Sequence, residues 1–88
     1  MKSKAAAQFW KLYNRLPRLE QQRARKAFQV WKANPNLPGL RFKRVSNEEP
    51  IYSARFSDNY RVLGLLEGDT VVWFWIGRHD EYERILKK

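Results

Sequence analysis

The chain predicts an α+β fold: an N-terminal helical hairpin packed on a three- to four-stranded antiparallel sheet, closed by a short C-terminal helix. Three observations lead there. Apolar side chains in the first third recur at three- and four-residue spacing, interrupted once by Pro17. From residue 40 onward, short runs rich in aromatic and β-branched residues are separated by turn residues such as Asp58-Asn59 and Gly68-Asp69. Helices come first and strands follow, an order that places helices on one face of an antiparallel sheet rather than between parallel strands.

The first helix covers 4–15, with Ala6, Phe9, Trp10 and Tyr13 on one face. Pro17 ends it, because the residue before a proline avoids helical backbone. It also suits the opening of the next helix, where a missing N–H costs nothing. That second helix runs to Ala33; Ala24, Ala27, Phe28 and Trp31 form its apolar stripe, and Arg18, Arg23, Arg25, Lys26 and Lys32 its solvated flanks. Asn34-Pro35-Asn36-Leu37-Pro38-Gly39 is a stop and a loop. A short edge strand is expected over 40–45, a polar loop over 46–50, a strand over 51–56, a turn at 57–59 and a strand over 60–67. Gly68-Asp69 suits a two-residue type II′ turn with glycine first, leading into the last long strand, 70–77. Asp80 is placed to cap a terminal helix reaching Leu86.

With 88 residues and neither repeats nor low-complexity segments, one domain over 1–88 is expected. Four Trp, four Tyr and five Phe supply the apolar area for a core without staples. Cysteine is absent, and a single histidine cannot make a usual zinc site, so neither disulfide, thiolate nor metal chemistry is expected. There is no glycine-rich phosphate loop and no serine in a nucleophile-elbow context. No apolar run approaches the roughly 20 residues of a membrane span, and the start lacks a secretory apolar region, so a soluble cytoplasmic protein is expected. Eighteen basic residues against nine acidic ones give a net charge of +9. Such an excess calls for an anionic partner: nucleic acid, ribosome, membrane surface or acidic protein.

Register points to a candidate site. A three-residue turn at 57–59 pairs Arg55 with Arg61, whereas a two-residue turn would set Phe56 against Arg61. Like charges held directly opposite are destabilising, so an arginine pair implies an anion between them. The Gly68-Asp69 turn sets Gly64 against Trp73 and Arg61 against Ile76, bringing Arg61 toward the strand end from which Arg78 and His79 emerge.

The chemistry open to such a cluster is RNA cleavage. RNA supplies its own 2′-OH nucleophile, so a base, cations for the phosphorane-like transition state and an acid for the leaving 5′-oxygen suffice. Histidine exchanges its proton near neutral pH and serves in either role. Arg55 and Arg61 suit bidentate phosphate binding, and Tyr82 suits base stacking or hydroxyl donation. Each residue also has a plain structural reading: His79 as a surface or capping residue, Tyr82 as packing, Lys43 and Arg44 as a solvated strand edge. The tryptophans of Trp73-Phe74-Trp75 read as core.

Several stretches together resemble toxins of the RelE/ParE superfamily from bacterial toxin–antitoxin modules. They are the helical hairpin, Leu40-Arg41-Phe42-Lys43, Tyr52-Ser53-Ala54-Arg55-Phe56 turning into Asn59-Tyr60-Arg61-Val62, and the ending Trp75-Ile76-Gly77-Arg78-His79-Asp80-Glu81-Tyr82-Glu83-Arg84. The likeness covers nearly the whole chain, and the Gly77-x-His79-Asp80-x-Tyr82 ending is similar to the messenger-RNA-cleaving branch. It implies a RelE-like microbial RNase fold and a cofactor-free mRNA endoribonuclease acting on ribosome-bound message. In that setting Arg61 is the transition-state arginine, Arg55 a phosphate contact, and His79 and Tyr82 the acid/base pair. Lys43, Arg44, Arg78 and Ser53 would contact RNA. Ser53 stands where the RelE type carries a further lysine, which shifts proton work to His79 and lets Arg78 replace the missing cation. The implied partners are a cognate antitoxin, mRNA and the ribosome. A ParE-like inhibitor that binds DNA gyrase is the alternative, and a catalytically silent member that only binds RNA or protein is the third.

Overall fold

The computed structural model describes residues 1–86. Eight elements follow in order: β1 (Lys2–Ala5), α1 (Ala7–Asn14), α2 (Arg18–Ala33), β2 (Lys43–Arg44), β3 (Ile51–Ser57), β4 (Tyr60–Glu67), β5 (Thr70–Arg78) and α3 (His79–Leu86). A 3-10 turn, Pro38–Leu40, precedes β2. The strands form one five-stranded sheet in the order β1-β5-β4-β3-β2, antiparallel except for the β1–β5 pair. The expected α+β arrangement holds, with one strand more than the sequence predicts.

That extra strand is β1. Its Lys-Ser-Lys-Ala sequence has no apolar alternation, so nothing local marks it as a strand. Pairing with β5 makes it one: Lys2 N–H donates to the Asp69 carbonyl at 3.0 Å and Ala6 N–H to the Trp73 carbonyl at 2.9 Å. The first helix therefore begins at Ala7, not residue 4. Its corner with α2 is locked by polar contacts around buried Tyr13. Gln21 Nε2 donates to the Tyr13 carbonyl at 3.0 Å, and Arg25 Nε to the Tyr13 hydroxyl at 2.8 Å.

Trp31 is the centre of the core, 2% exposed. Its ring meets Phe42 and Trp73 edge-on, with centroids 5.5 and 5.3 Å away. Ala54 and Val71 complete this cluster beneath the helical hairpin. Leu63, Trp75 and Tyr82 form a second cluster on the other face of the sheet, under α3. Strict alternation would place Trp73 and Trp75 on the same face. A bulge separates them: Gly64 pairs with Trp73 and Leu63 with Trp75, leaving Phe74 unpaired and reversing the parity of everything after it. Both tryptophans are core, as the sequence predicts, but in different layers. Gly64 is required here, since a Cβ on it would lie 2.5 Å from Val71 and 2.7 Å from Trp73.

At the Gly68-Asp69 turn, Gly68 carries φ +63° while Asp69 is not among the positive-φ residues, the pattern expected of type II′. The predicted strand 40–45 contracts to two residues at the sheet edge, because the chain turns through the 3-10 segment and a left-handed Arg41 first. Asp80 lies within the first turn of α3 and does not cap it, since the helix starts one residue earlier at His79.

Candidate functional site

Two bulges set the arrangement of charged residues at one end of the sheet. In β3–β4 the turn holds two residues, so Ser57 pairs with Tyr60; Phe56 then bulges out, and Arg55 pairs with Arg61 after all. The expected arginine pair forms, by a different route from a three-residue turn. The bulge at Phe74 moves the partner of Arg61 on β5 to Gly77, in place of the expected Ile76. Arg55, Arg61 and Gly77 thus form one row across three strands. Alternation puts this row on the same face as Ser53, Leu63 and Trp75, the face α3 covers.

Gly77 makes room for Trp75. A Cβ there would lie 2.6 Å from the six-membered ring of Trp75, so the indole packs over the buried glycine, next to Arg61 in the row. Gly77→Ala is expected to displace this ring and cost about 1–3 kcal/mol, as overpacking does. A lowered denaturation midpoint with unchanged m-value would register it; a midpoint equal to wild type would show the ring is not confined there.

The two arginines have fixed bearings. Arg61 is half-buried, and its Nη1 donates to the carbonyls of Ser57 at 3.1 Å, Asp58 at 3.3 Å and Tyr60 at 2.9 Å. Burial first, and then the charge of Arg55, hold its guanidinium below its ordinary pKa. Arg55 Nη2 donates to Asp58 Oδ1 at 3.1 Å. The like-charge cost of the pair is thus partly offset by Asp58 and the turn carbonyls.

His79 and Tyr82 come from α3. The His79 N–H donates to the Asn59 carbonyl at 2.6 Å, which ties the start of the helix to the β3–β4 turn. One helical turn brings the Tyr82 ring onto His79, centroids 5.6 Å apart and planes at 27°. His79 Nε2 lies 3.3 Å from Glu83 Oε1. Tyr82 is 9% exposed and its hydroxyl donates to Ser53 Oγ at 3.3 Å, so it both packs and makes a polar contact. Ser53, 3% exposed, lies beneath α3 and not at an open surface.

The remaining expected residues divide. Lys43 pairs with Ser53 and shares the site face. Arg44 pairs with Tyr52 on the helical-hairpin face, and its Nε donates to the Ser46 carbonyl at 2.8 Å. Arg78 pairs with Tyr60, alternates away from the Arg61 row and lies 3.6 Å from Asp80. Neither Arg44 nor Arg78 joins the cluster as expected, because a strand shows successive residues to opposite faces. Among the described residues, no three His, Cys, Asp or Glu side chains gather as a metal site requires. Arg41, which the sequence reading did not place near the arginine pair, also carries a charge that acts on Arg61.

A cavity of about 500 Å³ lies between the helical hairpin and the sheet, lined by Phe9, Trp10, Phe28, Trp31 and Trp73 and reaching Arg55. Trp10 remains 50% and Phe28 40% exposed at its margin, so Phe28 lies at the open edge of the apolar stripe.

A family model, the ParE-like toxin domain, matches residues 20–84. No curated protein matches the chain in sequence. Among solved structures, the RelBE2 toxin–antitoxin complex of Mycobacterium tuberculosis is similar, with a TM-score of 0.70 at 20% identity, covering 89% of this chain and 96% of that one. The RelB–RelE antitoxin–toxin complex of Methanococcus jannaschii gives a TM-score of 0.69 at 19% identity, with 92% and 95% covered. The isolated RelE toxin of E. coli gives 0.63 at 13% identity, with 98% and 95% covered. At these identities the likeness is one of fold.

Proposed function

The chain belongs to the family of ParE-like toxin domains, and from that premise we propose that it is a cytoplasmic mRNA endoribonuclease, acting on ribosome-bound message and held in check by a cognate antitoxin. The observation that carries this reading is the Arg55–Arg61 pair, set side by side next to a helix that begins with His79 and carries Tyr82. Two guanidinium forks, each able to bind a phosphate bidentately, suit the extra negative charge that develops on the scissile phosphate.

In this reading a base takes the proton of the RNA 2′-OH, and the 2′-oxygen bonds to phosphorus. The 5′-oxygen leaves and is protonated, giving a 2′,3′-cyclic phosphate and a free 5′-OH. In this reading His79 is the group that moves a proton, because imidazole exchanges one near neutral pH. Arg61 and Arg55 stabilise the phosphorane-like transition state, and Lys43 guides the strand. Tyr82 orients His79 through its stacked ring and is itself held by Ser53.

No helix among the described residues is long and apolar enough to cross a membrane. The antitoxin is assigned to the cavity beneath the helical hairpin. Three of the solved neighbours are toxin–antitoxin complexes of the RelBE2 or RelB–RelE kind, and here Lys4, Arg25 and Lys32 flank an apolar trough. An apolar helix or strand with acidic flanks fits it. Trp10→Asp is expected to weaken antitoxin binding about ten-fold, as loss of an exposed aromatic anchor does, while RNA cleavage stays at the wild-type level. Titrating antitoxin into a cleavage assay measures both quantities at once; unchanged inhibition would place the antitoxin elsewhere.

A primer-extension map of cellular mRNA after brief induction tests the main reading. New 5′ ends inside translated codons are the expected result. The ParE-like description of the matched family favours a second reading, inhibition of DNA gyrase by binding. Growth arrest with intact mRNA and induced DNA-damage signalling would replace the first reading with the second.

A further inference from the structure

We propose that the polar niche between the first turn of α2 and the β3–β4 turn is a nucleobase subsite, and that it takes a guanine of the RNA strand held at the Arg55–Arg61 pair. The assignment rests on the endoribonuclease reading and adds a base preference to it.

Three observations carry it. The first is an inward-facing acid. Glu20, Ala24, Ala27 and Trp31 follow one another at spacings of four, three and four, so Glu20 continues the stripe that α2 turns to the sheet. Its side chain is 14% exposed, whereas Leu19 beside it is 56% exposed. Glutamate is seldom withdrawn from water to that degree without cause. Its partner is Arg23, whose Nη1 donates to Oε1 at 3.4 Å and Oε2 at 3.3 Å.

The second is the space that Glu20 borders. A niche of about 380 Å³ is lined by Glu20 and Arg23 of α2 and by Phe56, Ser57, Asp58 and Asn59 of the turn. Ser57 Oγ is buried and has no hydrogen-bond partner. Buried polar groups are ordinarily satisfied, so an orphaned hydroxyl in the wall of a polar niche points to a polar guest.

The third is an aromatic wall beside the arginines. The bulge lifts Phe56 out of the ladder, and its ring lies 5.7 Å from that of Tyr60. Bulges next to sites re-aim side chains in this way. The same turn serves the arginine pair: the carbonyls of Ser57 and Asp58 accept from Arg61 Nη1, and Asp58 Oδ1 accepts from Arg55 Nη2. Niche and arginine pair are therefore two sides of one turn, and a strand that rounds it brings a base against Phe56.

A nucleobase matches these groups. Its π face stacks on an aromatic ring, and its edge forms hydrogen bonds. Guanine is the base whose pairing edge carries two adjacent donors, N1–H and the N2 amino group, which meet the two oxygens of one carboxylate. Its O6 accepts from Arg23. Adenine, cytosine and uracil each offer a single donor group on that edge.

Uridine tracts made uncleavable by 2′-O-methyl groups, with guanine, inosine or adenine at one position, test the subsite. Inosine keeps N1–H and lacks the amino group. Wild type is expected to bind the guanine RNA about ten-fold more tightly than the adenine RNA, as a bidentate base contact allows, with inosine between them. Glu20→Gln should bind all three alike, and Ser57→Ala should lose a few-fold on guanine. Neither should melt below wild type, since glutamine matches glutamate in helix propensity and the Ser57 hydroxyl has no partner to lose. Guanosine monophosphate should shift the amide resonances of residues 20–23 and 56–59. If wild type binds the three RNAs equally, or Glu20→Gln keeps the preference, the niche reads no base and the inference falls alone. If argininamide shifts those resonances and guanosine monophosphate does not, the niche belongs to a basic side chain of a protein partner and the inference again falls. If wild type binds none of the RNAs, the endoribonuclease reading falls and takes this one with it.

Discussion

Arg61→Ala is expected to lower RNA cleavage by about two to three orders of magnitude, the usual cost of removing a preorganised group that stabilises developing charge. The reason is position. Arg61 is on the central of the three strands that carry the row, paired with Arg55 on one side and with the side-chain-free Gly77 on the other. It is half-buried, so its field is screened less than that of a surface arginine. Arg61→Lys is not expected to restore activity, since a lysine is a point charge and lacks the planar fork that meets two phosphate oxygens. The three carbonyls that Arg61 Nη1 now meets belong to a turn at the surface, where water replaces a lost donor, so the fold survives. Initial cleavage rates on a defined message, with circular dichroism of each variant, decide the matter. A folded Arg61→Ala protein cleaving within three-fold of wild type would remove Arg61 from the site.

The second large effect is on stability. Trp31→Ala should cost about 3–5 kcal/mol, as truncating a buried tryptophan does. A chain of this length has roughly 4–13 kcal/mol in total, at about 0.05–0.15 kcal/mol per residue. Much of the protein would then be unfolded at growth temperature, and toxicity would vanish without any change in the site. The cost arises because Trp31 links α2 to Phe42 and Trp73 at once. Its stacking neighbour Phe28 is a control: 40% exposed, it should cost well under half as much when cut to alanine. Urea unfolding of the two variants compares them; equal losses would contradict Trp31 as the keystone of the core.

The site was partly legible before any coordinates. The pairing of Gly64 with Trp73 follows from turn length and the period of two along a strand, both local properties, whereas the expected pairing of Arg55 with Arg61 forms only through the bulge at Phe56, because the turn holds two residues and not three. The same arithmetic misplaced the partner of Arg61, because the bulge at Phe74 leaves no clear mark in Thr-Val-Val-Trp-Phe-Trp-Ile. The one extra residue of the bulge puts Trp73 beneath the helices and Trp75 beneath α3. Arg78 and Arg44 fall outside the Arg61 row for a related reason: a residue near it in sequence can lie on the opposite face of the sheet.

What the sequence by itself determined is therefore the fold class, the helical hairpin broken at Pro17, the three long strands and the basic character of the partner surface. These follow from periodicity, turn chemistry and net charge, all of which act within a few residues or over the whole chain. Only the tertiary structure decided that Lys2–Ala5 is a strand, which face each cation takes, and that Trp75 packs over Gly77 in the Arg61 row. Each of these depends on hydrogen bonds or side-chain contacts between segments far apart in the chain, where one inserted residue reverses the facing of all that follow.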